Sequence, residues 1–206
     1  MTALTVIVPT IPKRTSLVSR CLYSITEQPG DYEILLVPGT AGLGSKYMAA
    51  AQTASGRYVT LVDDDDYLAA SYMAEVLPRC DGVDYVGLVI LALSEGKFWH
   101  TRATSASSTT WESPSGRPQV YPTQLTVPKG VVRTELARKV DYPNYSGADR
   151  SWADQVSAMV ETWHDIDRCL YVYDHWPHKF GLDAGGRDVG CWPFDESKIR
   201  RLEVHA

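Results

Sequence analysis

The chain has 206 residues, 44% hydrophobic and 22% charged, with a formal net charge of −5 and a pI near 5.5. That length fits one domain, or one domain with an appendage, and supplies enough apolar residues for a sizeable core. The acidic balance argues against a protein that coats nucleic acid, while leaving room for a local basic groove. No apolar run reaches the roughly 20 residues needed to span a bilayer. The opening "MTALTVIVPT" lacks a basic region and runs straight into an apolar segment, so it does not read as a signal peptide. Cys21, Cys80, Cys169 and Cys191 are widely spaced with no CxxC pair, which favours reduced thiols over disulfides or a zinc site. The expectation is a soluble cytoplasmic protein forming a single domain over 1–206.

Residues 4–8 predict a first strand, closed by Pro9 and Pro12. A helix is expected from about 15 to 28, because Leu17, Cys21 and Ile25 recur on one face. Pro29-Gly30-Asp31 is a turn, 33–37 a second strand, and 46–55 an alanine-rich helix stopped by Gly56. A third strand ends in Asp63-Asp64-Asp65-Asp66. Strand and helix alternating in this way predict an α/β fold with a mostly parallel central sheet flanked by helices. Further on, 71–79 predicts helix, 84–93 strand, 101–118 a loop or loose hairpin, 135–139 and 152–163 helix, and 170–173 a last strand. Four glycines within 181–190 suggest a flexible segment.

The run "VTLVDDDDYL" is the most informative stretch. A short buried strand ends abruptly in four carboxylates that repel one another and would each be costly to desolvate alone. A divalent cation such as Mg²⁺ or Mn²⁺ removes that conflict, since it takes hard oxygen ligands and often shares them with phosphates. The C-terminal edge of such a sheet is also where ligands sit. A solvated acidic turn is the bland alternative.

The chain resembles the GT-A-fold glycosyltransferases, in particular the inverting family 2 group of the nucleotide-diphospho-sugar transferases. The segments that carry the resemblance are "LTVIVPTIPKR", "AAAQTASGRYVTLVDDDDYL", "GVVRTELARKVDYPNYSGADRSWADQV" and "YVYDHWPHK", in the family's order over roughly residues 4–180. The resemblance implies a soluble, metal-dependent inverting glycosyltransferase that moves a sugar from a nucleotide-diphosphate donor to an acceptor hydroxyl. A UDP-sugar is the first guess for the donor, and Mn²⁺ or Mg²⁺ for the cofactor. Asp65 matches the last acid of the family's Asp-x-Asp and is expected to bind the metal. Asp63 would face the ribose or the metal, and Asp64 would assist. Asp66 is expected to be structural, capping the turn or helix that follows. Asp149 stands where the family places its general base; read without the resemblance, it is a helix N-cap.

The same resemblance places Pro9, Thr10 and Lys46 beside the nucleotide. It makes His175 or His178 a metal or diphosphate contact, with His175 favoured. Lys179 and Arg187 are expected to close over the phosphates. Trp99, Trp111 and Trp152 are candidate stacking surfaces for a sugar or base, Trp99 and Trp152 toward the acceptor, with core packing the alternative for each. Two positions depart from the family: Ala148 stands where many relatives have Glu, and Pro38-Gly39-Thr40 where many have a base-contacting Asp. These departures support one alternative, a nucleotide-sugar-binding protein without catalysis. An Asp-nucleophile phosphohydrolase fits less well, because its acids follow the first strand rather than the third. The acceptor is open among a glycan, a small molecule, a protein and a modified nucleic-acid base.

Overall fold

The computed structural model describes residues 2–94, 97–104, 109–112, 118–121, 127–145, 148–175 and 199–202. Strand β1 (Leu4–Thr10) is buried along its whole length, because β2 (Tyr32–Pro38) and β3 (Tyr58–Leu61) pair with it in parallel on its two edges. A strand enclosed on both edges and both faces reads as a continuous apolar run. Side-chain alternation then divides the core between the faces. Leu4, Val6, Val8, Tyr32, Ile34 and Tyr58 point to one side, Ile7, Leu35, Val37, Val59 and Leu61 to the other.

Helix α1 (Thr15–Thr26) covers the first side with Cys21 and Ile25, joined by Tyr72, Met73 and Val76 of α3 (Tyr72–Val76). The second side is covered by α2 (Leu43–Thr53), the single turn α4 (Thr134–Ala137) and α5 (Ala148–Ser157). Helix α2 is held at both ends by the segment that follows α4. Arg138 donates to the carbonyls of Ala51 and Ala54 at 2.9 and 2.8 Å. At the other end Asn144 accepts the Ser45 N–H at 3.1 Å and donates to the Ser45 hydroxyl at 2.7 Å.

The sheet is mixed, not mostly parallel. Parallel ladders join β1 to β2, β1 to β3, and β5 (Tyr85–Ser94) to β10 (Trp163–His175). Between these halves β9 (Val131–Arg133) runs antiparallel to both β3 and β5. Beyond β5 the strands β6 (Lys97–Ala103), β7 (Thr109–Glu112) and β8 (Pro118–Tyr121) form an antiparallel meander where a loop or loose hairpin was expected. A further antiparallel strand, β11 (Arg200–Leu202), edges β2. The helix expected over 152–163 is displaced: α5 starts at Ala148 and stops at Ser157, and Trp163 opens β10. That strand runs to His175, far longer than the expected 170–173, because β5 pairs along its length and β4 (Tyr67–Leu68) adds to it at Tyr171 and Val172.

Among the described residues no helix is long and apolar enough to cross a membrane. The glycine-rich segment 181–190 lies outside the described residues.

Candidate active site

Strands β1 and β3 run side by side in parallel, β1 three residues further, so Thr10 and the four aspartates that follow β3 emerge at one edge. The Val62 N–H still bonds the Ile7 carbonyl at 2.9 Å, and the chain then turns, with the Asp66 N–H donating to the Asp63 carbonyl at 3.0 Å. Strand β4 begins at the next residue and is held by β10. The carboxylates therefore sit on a tight turn braced from both sides.

Each acid has a different environment. Asp64 is buried, accepting the Thr10 hydroxyl at 2.7 Å and the Arg14 guanidinium at 2.7 Å. Arg14 also lies 3.8 Å from Asp65. Asp63 accepts the Lys129 ammonium at 2.6 Å. Asp66 is buried, with one oxygen on the Tyr171 hydroxyl at 2.6 Å and the other on the Asp174 N–H at 3.0 Å. These bonds hold β10 to the turn, and Asp66 does not cap a helix; α3 starts only at Tyr72, after Ser71. Burial, the charge of Asp63 and then that of Asp65 push the Asp66 carboxyl up to about 8, with Lys129 opposing. Arg20 of α1 ties the same turn to β10, bonding Asp174 at 2.7 Å and the Asp65 carbonyl while its guanidinium covers the Tyr67 ring at 4.9 Å.

Single carboxylate oxygens of Asp63, Asp65 and Asp66 lie within 4.8 Å of one another. Hard oxygen donors at that spacing suit Mg²⁺ or Mn²⁺. Both Asp66 oxygens carry hydrogen bonds, whereas Lys129 bonds Asp63 through one oxygen. His175 lies at the end of β10, its backbone opposite Ser94, with its side chain outside the description. His178, Lys179 and Arg187 lie outside the described residues. Trp99 has its backbone in β6 and its side chain likewise outside.

A cleft of about 400 Å³ opens beside the acids. Pro9, Thr10, Lys46, Asp63, Asp64 and Asp65 all line it, together with the start of α2. Lys46 is nearly buried and donates to the Thr10 carbonyl at 2.7 Å. Burial pulls its ammonium down to about 8, with Asp64 opposing and Arg14 adding to the fall. A buried cation at this wall suits an anionic ligand, whose charge would offset its desolvation.

Asp149 falls in the first turn of α5, inside the helix and not at its N-cap. It is exposed, and one oxygen accepts the hydroxyl of Tyr142. Burial and then the Asp149 charge raise the Tyr142 phenol well above its ordinary value, so it stays a donor. Trp152 is fully buried three residues on, packed edge-on against Tyr47 at 6.0 Å and near Tyr142 at 6.5 Å. It belongs to the core beneath the site and offers no surface to an acceptor.

Lys129 connects the two carboxylate regions. Burial disfavours its charge, but Asp63, Asp149 and Asp66 more than offset that and hold the ammonium above its ordinary value. Sequence reasoning passed over Lys129 and Arg20, and gave Tyr142 no role although it lies within the quoted third motif. Arg14 lies within the quoted first motif, but nothing in that string ties it to an aspartate 50 residues on.

No family model matches the chain, and no curated protein does. Its fold is similar to that of S. aureus TarS residues 1–349, with a TM-score of 0.66 at 16% identity over 84% of this chain and 60% of that one. The structures of the same fragment with UDP-GlcNAc and with UDP give TM-scores of 0.65, at 17% and 18% identity, again over 84% of this chain and over 59% and 61% of the other. This chain thus spans about three-fifths of that fragment. At such identities the likeness is one of fold, and it agrees with the GT-A-like architecture expected from the sequence.

Proposed function

We propose that this chain is a metal-dependent glycosyltransferase that takes a nucleotide-diphosphate sugar, with a UDP-sugar as donor, and inverts the sugar's anomeric configuration. The observation that carries the reading is the cleft at the end of β1 and β3. It gathers carboxylates at metal-ligand spacing together with Arg14 and the buried Lys46. The fold supports it, since the similar TarS fragment has been solved with UDP-GlcNAc and with UDP.

Asp65 and Asp63 would hold the divalent cation, which supplies Lewis-acid stabilisation of the charge developing on the leaving diphosphate. Arg14 and Lys46 orient and neutralise phosphate oxygens from the opposite wall. Pro9, Thr10 and the start of α2 border the nucleoside. Asp149 accepts the proton of the acceptor hydroxyl as it attacks. The Tyr142 hydroxyl fixes one oxygen of that carboxylate and leaves the other for the proton. A single displacement from the face opposite the leaving group inverts the anomeric carbon.

Calorimetry with UDP and UDP-GlcNAc, with and without Mn²⁺, tests the donor and metal together. Slow donor hydrolysis in Mn²⁺, followed by NMR of the released sugar, reports catalysis and stereochemistry before any acceptor is known. Absence of binding to every nucleotide diphosphate tried, in Mn²⁺ as in EDTA, would refute the reading. Release of sugar with retained configuration would refute the role of Asp149.

A further inference from the structure

Lys129 is placed with more care than a surface lysine needs. It sits in a turn whose Gly130 N–H bonds the Val127 carbonyl at 2.9 Å, while the Pro128 carbonyl accepts the Leu61 N–H of β3 at 2.8 Å. The Tyr85 hydroxyl bonds the Val127 backbone from below, taking its N–H at 3.2 Å and meeting its carbonyl at 3.3 Å. Gly130 permits that approach, because a Cβ there would lie 2.0 Å from the same hydroxyl. The turn is thereby clamped to the strand that carries the aspartates. Its lysine side chain is 14% exposed and delivers its ammonium to Asp63 at 2.6 Å, above the Tyr171 ring at 5.7 Å.

We propose that Lys129 is a built-in counter-cation of the acidic turn, which opposes a divalent metal at Asp63 by repulsion across the carboxylate they share. The proposal rests on the reading of the cleft as a metal and diphosphate site. Of the three carboxylates at ligand spacing, Asp66 is committed through both oxygens to Tyr171 and Asp174. That leaves Asp63 as the partner for Asp65, and Lys129 already bonds its Oδ2. A monovalent and a divalent cation sharing one carboxylate repel each other strongly in a partly buried site. Metal alone thus binds weakly, and the turn stays neutralised without it. An arriving diphosphate adds the negative charge that lets both cations remain. Lys129 in this way sets the metal affinity of the empty cleft and the strength of the coupling between metal and nucleotide.

The test is titration of Mn²⁺ into the whole protein, read from the electron paramagnetic resonance signal of free Mn²⁺, with no nucleotide and then with UDP. Lys129→Met should bind Mn²⁺ alone on the order of tenfold or more tightly than the original protein, since one repelling charge is gone. Lys129→Arg, which keeps the charge, should stay near the original. UDP should then raise Mn²⁺ affinity less in Lys129→Met. Without metal that variant should melt lower, since Asp63 has lost its partner, and Mn²⁺ should restore it more than it raises the original. Unchanged or weaker Mn²⁺ binding by Lys129→Met overturns the proposal. If that variant does not fold, Lys129→Gln gives the same comparison with a hydrogen bond to Asp63 retained. The readings fail separately: loss of Mn²⁺–UDP binding in the original protein refutes the assigned function, whereas the Mn²⁺-only comparison judges Lys129 by itself.

Discussion

The metal-free protein is expected to lose stability as pH rises from 5 to 8, against the usual trend for an acidic chain. The cause is Asp66, whose carboxyl moves from an ordinary 3.8 to about 8 in the folded state, through burial and then the charges of Asp63 and Asp65. A group with a raised folded value contributes its full stability below the unfolded value and loses it as pH climbs through the folded one. One linked proton is worth somewhat more than ~1 kcal/mol per pH unit, so this window spans on the order of 4 kcal/mol at most. Among the described residues the other shifted groups leave the window clear. Glu33 and Asp84, both lowered, change stability only below about pH 5. Lys46, lowered to about 8, begins to add stability only above that pH. Urea unfolding in EDTA at half-unit pH steps measures the slope. Asp66→Asn should flatten it, because the neutral amide mimics the protonated acid, and Mn²⁺ should reduce it by relieving the cluster. A stability that is level or rising from pH 5 to 8 in EDTA would show that Asp66 is not held protonated by its neighbours.

Asp65→Ala should fold at least as well as the original, being relieved of one like charge, yet lose Mn²⁺-dependent binding of UDP; undiminished binding in calorimetry would remove Asp65 from the ligand set. Asp149→Asn keeps an oxygen for the Tyr142 hydroxyl, so Mn²⁺ and UDP binding should be preserved while turnover falls by roughly 10²–10⁴-fold. Turnover within a few-fold of the original would leave Asp149 a structural residue. Gly44→Ala would set a Cβ 1.8 Å from the Tyr142 carbonyl, a backbone atom that cannot swing aside. It should cost about 1–3 kcal/mol in denaturant unfolding, and an unchanged midpoint would mean that α2 can slide away from Tyr142.

The first three strands and two helices were legible because their signal is local. Apolar periodicity, Pro29-Gly30 and Gly56 mark them without reference to the rest of the chain. Strands β4, β9 and β11 were not, because two or three residues become strand only through partners far away in sequence, such as Leu68 with Tyr171 or Val132 with Val59. The serine- and threonine-rich stretch beyond 100 hid β7 and β8 for a related reason, since its composition resembles a loop. Strand β10 begins with His164, Asp165 and Asp167 among its first residues, which masked its extent. At the site, the aspartates announced themselves by being consecutive. Their cations did not, because Arg14, Arg20 and Lys129 are single residues whose partners lie 50, 45 and 66 positions off. A lone lysine carries no signal until the fold brings a carboxylate to it.

The clamp on α2 has a consequence for how the cleft can move. Arg138 grips the rear of the helix and Asn144 its front, and Tyr142 of that same short segment reaches Asp149. The wall bearing Lys46 and the carboxylate of α5 are therefore coupled through seven consecutive residues, 138–144. Opening the cleft by tilting α2 alone would break bonds at both helix ends at once. Amide hydrogen exchange should accordingly report α2, residues 138–145 and α5 as one cooperative unit, protected and released together. The wall bearing Lys46 and the carboxylate of Asp149 would then keep a fixed distance, and any opening of the cleft must hinge elsewhere.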